Sequence, residues 1–189
     1  MREGGIFLKY RAHIELKDGR SCFIRNATEN DGKAALDNFI LTHGQTDYLL
    51  TYPDENSFTA TQEAEYLKQK SESENEIELV AEVGGKIVGL AGIDAVGKTE
   101  KVKRRAEFGV SIDKAFWGLG IGRAMTKACI ECAKNAGYAQ IELSVVAQNE
   151  AAVSLYKSEG FIEYGRNPKG FYSRVSGWQE LILMRLELC

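Results

Sequence analysis

The chain carries, from residue 110 to residue 123, the sequence Val-Ser-Ile-Asp-Lys-Ala-Phe-Trp-Gly-Leu-Gly-Ile-Gly-Arg. The residues just before it predict a strand over 106–112, and apolar residues at three- and four-residue steps predict a helix over 120–135. Gly118, Gly120 and Gly122 therefore stand where a strand turns into a helix. The first N–H groups of a helix lack partners and carry partial positive charge, and glycine lets a ligand come close. This favours a phosphate-binding loop, with purely structural turn glycines as the alternative.

The spacing of these glycines disfavours two common nucleotide-binding motifs. A dinucleotide fingerprint needs Gly-x-Gly-x-x-Gly, but the required last glycine is Arg123 counted from Gly118 and Met125 counted from Gly120. A Walker loop needs Gly-Lys-Ser/Thr, which this stretch lacks. The glycines also follow several strands, whereas a dinucleotide fold usually begins with them. The sequence therefore disfavours a nucleotide-binding domain.

The rest of the chain predicts an α+β (mixed α/β) fold with the element order ββααβββαβαββ. A helix connects the strands 106–112 and 141–146, so these two should be parallel neighbours, while tight hairpins make the other pairs antiparallel. Residues 1–189 read as a single domain, with residues 1–20 forming an extra N-terminal strand region. The other predicted elements are strands at 8–16 and from Cys22, helices at 28–44 and 59–69, a hairpin of 77–83 and 86–93 around Gly84-Gly85, a helix from Asn149 to Gly160, and last strands at Phe161 and 179–187.

Composition limits the class of function. The 189 residues are 44% hydrophobic and 27% charged, with a formal net charge of −3, which is typical of a globular protein. Without a large basic excess, nucleic acid is not an expected partner. The N-terminus does not follow the order of a secretion signal, and no apolar run is long enough to span a membrane, so we expect a cytoplasmic protein. Cys129 and Cys132 fit the packed face of a helix, and His13 and His43 stand too far apart to suggest a metal site.

Two motifs resemble the GNAT superfamily of N-acetyltransferases. Residues 117–122, Trp-Gly-Leu-Gly-Ile-Gly, resemble its motif A, Gln/Arg-x-x-Gly-x-Gly/Ala, with Trp117 in place of the Gln or Arg. Residues 149–161, Asn-Glu-Ala-Ala-Val-Ser-Leu-Tyr-Lys-Ser-Glu-Gly-Phe, resemble its motif B, Asn-x-x-Ala-x-x-Leu-Tyr-x-x-x-Gly-Phe. The resemblance covers most of the chain and is strongest over 77–187. It implies a GNAT-like fold: a central, twisted, mostly antiparallel sheet with one splayed parallel pair, flanked by about four helices.

The resemblance also implies a site. Acetyl-CoA would lie as co-substrate between the splayed strands, without a metal, and the reaction would be direct acetyl transfer to an amine. Tyr156 would be the acid that assists the departing thiolate. Glu107 is the candidate base, and a solvent-facing strand residue is the equal alternative for it. The implied cofactor contacts are Val110, Ile112, Trp117, Gly118, Leu119, Gly120, Ile121, Gly122, Arg123, Asn149, Ala152 and Tyr156.

The acceptor stays open at this point. By resemblance, residues 45–58 and 165–178 would form its pocket as two facing loops. A small-molecule amine and a peptide or protein N-terminus are both compatible with the sequence, and a homodimer is possible by analogy. The alternative function is an acyl-CoA-binding sensor with the same fold and no turnover.

Overall fold

A computed structural model describes residues 7–188, and the first six residues of the predicted N-terminal strand region lie outside this range. The predicted element order is confirmed across the described part of the chain. The strands are β1 (Arg11–Glu15), β2 (Ser21–Asn26), β3 (Ile77–Val83), β4 (Lys86–Ala95), β5 (Arg105–Ile112), β6 (Gln140–Val146), β7 (Ile162–Ser173) and β8 (Gly177–Glu187). The helices are α1 (Gly32–Gln45), α2 (Ala60–Ser71), α3 (Ile121–Asn135) and α4 (Glu150–Ser158).

The strands form one sheet in the order β1-β2-β3-β4-β5-β6-β8-β7. Among the described strands, β5 and β6 are the parallel pair that the sequence predicts, and the other neighbours are antiparallel. The parallel pairing covers only three positions and ends at Glu107 opposite Glu142. Beyond that point β5 and β6 have no common register, which leaves an opening that we call the fork.

Every second residue of β5 directs its backbone N–H and C=O groups toward the fork. Asp113 N–H donates to Val88 and Val96 N–H donates to Arg105, so the odd-numbered residues of β5 bond to β4. Since bonding direction alternates along a strand, the backbone groups of Phe108, Val110 and Ile112 face the other side. The fork therefore offers a strand edge of the kind that binds an extended ligand.

Two apolar clusters hold the helices on opposite faces of the sheet. The larger one packs α3 and α4 against the strands and contains Met125, Cys129 and Cys132, which confirms the prediction of small apolar thiols on a packed helix face. The smaller one, with Ala35 and Leu67, packs α1 and α2 against β3 and β4. Because both faces are covered, the interruption of the sheet at the fork is the natural entry for a ligand.

The C-terminal hairpin differs from the sequence prediction. Residues 165–178 were expected to be a loop beside the acceptor pocket, but most of them belong to β7 and β8. The sequence between Arg166 and Gly170 has turn-forming composition, yet the chain stays extended there. The pairing of β7 with β8 shifts register between Asn167 and Phe171. An added Cβ at Gly170 would overlap Leu181, so glycine is needed for this close approach.

Candidate functional site

A cavity of about 850 Å³ connects the fork with the face of the sheet covered by α1 and α2. Its lining combines fork residues with the connection between α1 and α2 and with one end of the C-terminal hairpin. It includes Tyr48, Phe58, Glu63, Glu78, Asp94, Glu107, Val110, Ser144, Asn149, Tyr156 and Phe171. We call it the fork cavity. Tyr156 and Glu107, which lie 49 positions apart in the chain numbering, thus line one space. Several residues of the 45–58 segment line it too, and their part in an acceptor pocket stays a prediction.

The glycine loop opens beside the fork as a cradle, which we define as residues 117–123. Gly118 and Gly120 have positive φ angles of 75° and 102°. An added Cβ at either position would have no neighbour within 4 Å, so the space in front of the backbone is open. Gly120 is the N-cap of α3, so the N–H groups of the first helical turn point out of the helix end. Open space faced by unpaired N–H groups fits an anionic group such as a pyrophosphate.

Gly122 has a different reason to be glycine. Its φ is helical, and an added Cβ would lie 3.3 Å from Ile112 Cδ1 and 3.6 Å from Leu155 Cδ2. The residue therefore sits where α3 passes close to β5 and α4. The motif combines two glycines that free the backbone conformation with one that allows close packing.

Trp117 occupies the position where the resembled motif has Gln or Arg. Its indole Nε1 donates to the carbonyl of Ile112 over 2.7 Å, and its side chain is 45% exposed. The bond ties the start of the cradle to the end of β5. It also engages the Ile112 carbonyl, so of the Ile112 backbone groups only the N–H remains free to face the fork.

Arg123 does not extend freely over the cradle. Its guanidinium pairs with the Glu159 carboxylate over 2.6 Å and links α3 to the end of α4. The N-terminal hairpin supports the cradle from the other side, because Lys17 N–H donates to the Leu119 carbonyl and Arg20 stacks over Phe116. The cradle therefore offers an anion backbone N–H groups more than side-chain charge.

Asn149 and Ala152 lie together at the start of α4. The Asn149 side-chain oxygen accepts from the Ala152 N–H over 3.3 Å and caps the helix. Asn149 also lines the fork cavity. The predicted cofactor contact is compatible with this capping role.

Tyr156 is buried in an aromatic group. Its ring lies edge-on to Phe108, with 6.0 Å between centroids, and contacts Phe161 at 5.8 Å. Burial raises the pKa of the Tyr156 hydroxyl to about 12, so it is a protonated donor at neutral pH. Within residues 7–188 the hydroxyl has no hydrogen-bond partner. An unpaired phenol on a cavity wall is suited to donate to a ligand.

Glu107 is the last residue of the parallel pairing and stands between Asp94 on β4 and Glu142 on β6. Its side chain is exposed, and it lines the wide part of the fork cavity. Glu107 therefore faces both solvent and the cavity, and its role as a base stays a prediction.

Glu78 is a second carboxylate on the cavity wall, and it was not among the predicted site residues. It lies on β3 directly across from Gly92, and Gly92 is across from Gly109. Burial and the nearby Asp94 carboxylate raise the pKa of Glu78 to about 8, and Lys70 partly opposes them. The sequence carried a signal, because Glu78 is a charged residue within the otherwise apolar run 77–81.

A polar cluster around Asp47 fixes the connection between α1 and α2. The Asp47 carboxylate accepts from Tyr52, Ser173, Ser176 and Gln179 at distances from 2.6 to 3.2 Å. The hydrogen bond from Ser173 and those from the other hydroxyls lower the pKa of Asp47. The connection is therefore held against the β7–β8 hairpin as an anion.

Comparisons with known proteins agree with this geometry. The Acetyltransferase (GNAT) family profile matches residues 43–161. N-alpha-acetyltransferase RimI of Mycobacterium tuberculosis is 35% identical over 97 residues, which are 51% of this chain and 58% of that protein. This chain thus matches little more than half of that curated relative.

Two solved structures share the fold over most of the chain. A GNAT-family acetyltransferase from Streptococcus pneumoniae superposes with a TM-score of 0.84 and 27% identity, covering 88% of this chain and 99% of that one. The yncA protein of Salmonella typhimurium, solved with its cofactor acetyl-CoA, gives a TM-score of 0.78 at 21% identity and covers 89% and 94%. Over residues 7–188, no helix is both long and apolar enough to cross a bilayer, and no group of three His, Cys, Asp or Glu side chains could hold a metal ion.

Proposed function

The chain belongs to the GNAT family of acetyltransferases, and we propose that it moves the acetyl group of acetyl-CoA directly to a primary amine. One observation carries this proposal: the open cradle, the exposed edge of β5 and the unpaired Tyr156 hydroxyl all border the same fork. Together they match the three parts of the co-substrate, namely pyrophosphate, pantetheine arm and thioester.

The cradle would bind the pyrophosphate through the N–H groups of residues 118–123. The pantetheine amides would pair with the Val110 backbone and the Ile112 N–H, extending the sheet as an added strand does. The thioester would then lie deeper in the fork, near Asn149 and Tyr156. This order follows from the direction of β5, which runs from the Glu107 end of the fork toward the cradle.

The chemistry sets three requirements at the deep end of the fork. An alkyl ammonium has a pKa near ~10, so it must lose a proton before it can attack. The oxyanion that forms needs a donor, for which a backbone N–H of β5 inside the fork is suited. The departing sulfur needs a hydrogen bond, which Tyr156 can donate from its protonated hydroxyl.

The proton acceptor is one of the cavity carboxylates. Glu107 is the candidate that the sequence suggests, and its place at the start of the fork supports that choice. Glu78 is a second one. Because both stand in a lining with further carboxylates, the cavity suits an acceptor that arrives as a cation.

Two acceptor classes fit this cavity, a small-molecule amine and the N-terminal amine of a protein. The N-alpha-acetyltransferase name of the Mycobacterium tuberculosis relative supports the second.

Thiol release from acetyl-CoA, measured against polyamines, amino acids and peptides with free N-termini, tests the proposal. We expect release that depends on both acetyl-CoA and one amine class, together with a stoichiometric amide product. Tight binding of acetyl-CoA without release for any amine would instead support the sensor function.

A further inference from the structure

Three residues form a row across the sheet, from β3 to the start of the fork on β5. Glu78 on β3, Gly92 on β4 and Gly109 on β5 are direct cross-strand neighbours and so share one face of the sheet. The Glu78 carboxylate lies over β4. An added Cβ at position 92 would overlap its Oε2 and lie 3.2 Å from its Cδ. The same Cβ would lie 2.8 Å from the Ile77 carbonyl oxygen, so glycine is required at position 92, and its open side leaves room for the carboxylate.

The next position in the row is open. An added Cβ at Gly109 would have nothing within 4 Å, so no side chain stands between the carboxylate and the start of the fork. Neighbouring strands are about 4.8 Å apart, which places the carboxylate about one strand spacing from the β5 backbone. An amine in the fork can be reached across this distance directly or through one water.

The Glu78 carboxylate also lacks a hydrogen-bond donor in the described part of the chain. Among residues 7–188, no donor forms a hydrogen bond with it, whereas the nearby Asp94 is held by Lys70. The residue is half-buried and lines the fork cavity, so a donor that enters the cavity can reach it. Glu107 differs, because it is exposed to solvent.

On these grounds, and resting on the proposed function, we propose that Glu78 accepts the proton that the acceptor ammonium loses before it attacks the thioester. The ammonium N–H bond breaks and the proton moves to the carboxylate. The free amine forms the C–N bond, the C–S bond breaks, and the second amine proton goes to the CoA sulfur. Glu78 then returns its proton to solvent, so the net change is ammonium plus acetyl-CoA to amide, free thiol and one proton.

The place of Glu78 on the cavity wall supports this role, and its raised pKa of about 8 brings the carboxyl close to the pKa of the amine. The charged and titratable groups that face it come from four elements. They are His43 on α1, Glu63, Tyr66 and Lys70 on α2, Asp94 on β4 and Glu107 on β5.

The test compares the pH dependence of kcat/KM for wild type, Glu78→Gln and Glu82→Gln. Glu82 is the matched control, because it lies on the same strand but pairs with Arg25. We expect Glu78→Gln to lower kcat/KM by about 100-fold or more and to remove an inflection near pH 8, with CoA affinity unchanged. Glu82→Gln should keep the wild-type profile. A Glu107→Gln variant that shows the loss, while Glu78→Gln does not, would overturn the assignment.

Carboxyl-carbon NMR with labelled glutamate supplies a readout without turnover. It should show one glutamate carboxyl in wild type that titrates above neutral pH and is missing from Glu78→Gln. If every glutamate titrates in the ordinary acidic range, the proposed role is wrong. Absence of thiol release from wild type would defeat the proposed function and this role together, whereas normal release with an unchanged Glu78→Gln profile would defeat this role alone.

Discussion

Replacing Gly120 by alanine tests whether the cradle exists for a ligand. Gly120 has a φ of 102°, and an added methyl group would enter open space. The change therefore makes no clash with the protein itself. Its effect on folding comes from backbone strain, which costs roughly 1–2 kcal/mol for a non-glycine residue in this region.

The effect on ligand binding should be larger than the strain. The methyl group would occupy the space where the pyrophosphate is expected and would displace it from at least one N–H group. A hydrogen bond to a charged group contributes about 1.5–3 kcal/mol, which corresponds to a loss of roughly 10- to 150-fold in CoA affinity.

Gly85→Ala is the matched control. Gly85 lies in the β3–β4 turn with a φ of 79° and also has open space in front of it. Urea unfolding should show similar losses of stability for the two variants, while calorimetry should show weaker CoA binding for Gly120→Ala alone. Equal CoA affinity in Gly120→Ala and wild type would refute the assignment of the cradle.

Three further changes have defined outcomes. Tyr156→Phe keeps the aromatic packing but removes the donor, so kcat should fall by about 10- to 150-fold with CoA affinity unchanged in calorimetry; a normal kcat would remove its role. Asp47→Asn leaves some of the four donors to Asp47 unpaired. Steady-state kinetics should therefore show the acceptor KM rising by up to about tenfold while the CoA Kd stays constant. An equal rise in the acceptor KM and the CoA Kd would contradict a role confined to the acceptor. Burial lowers the pKa of His43, which stacks on Phe39, so the folded state favours the neutral ring. Its contribution to stability is present above about pH 6.5 and is lost as pH falls through lower values, so urea midpoints at pH 7.5 and 5.5 should differ more in wild type than in His43→Gln.

The sequence predicted the order of elements and the parallel pair because both depend on local patterns. The Gly84-Gly85 hairpin and the amphipathic helix after Gly120 are examples. The extent of β7 was missed, since Arg166 to Gly170 has the composition of a turn and only pairing with β8 keeps it extended.

The predicted parts of the site are those set by local sequence, and the missed parts are set by contacts between distant segments. The cradle is contiguous, so its glycines are visible in a single stretch of sequence. Glu78, Gly92 and Gly109 come together only through the register of three strands, and no local pattern connects them. The bond between Trp117 and the Ile112 carbonyl is also a property of the folded turn.

The central claim is that the fork and its cradle bind coenzyme A. Calorimetric titration of the chain with acetyl-CoA tests it most directly. The titration is done at two temperatures, because binding whose enthalpy is zero at one temperature would give no heat there. We expect saturable one-to-one binding that weakens in Gly120→Ala and persists in Gly85→Ala. The absence of binding heat at both temperatures, with folded protein, would contradict the claim.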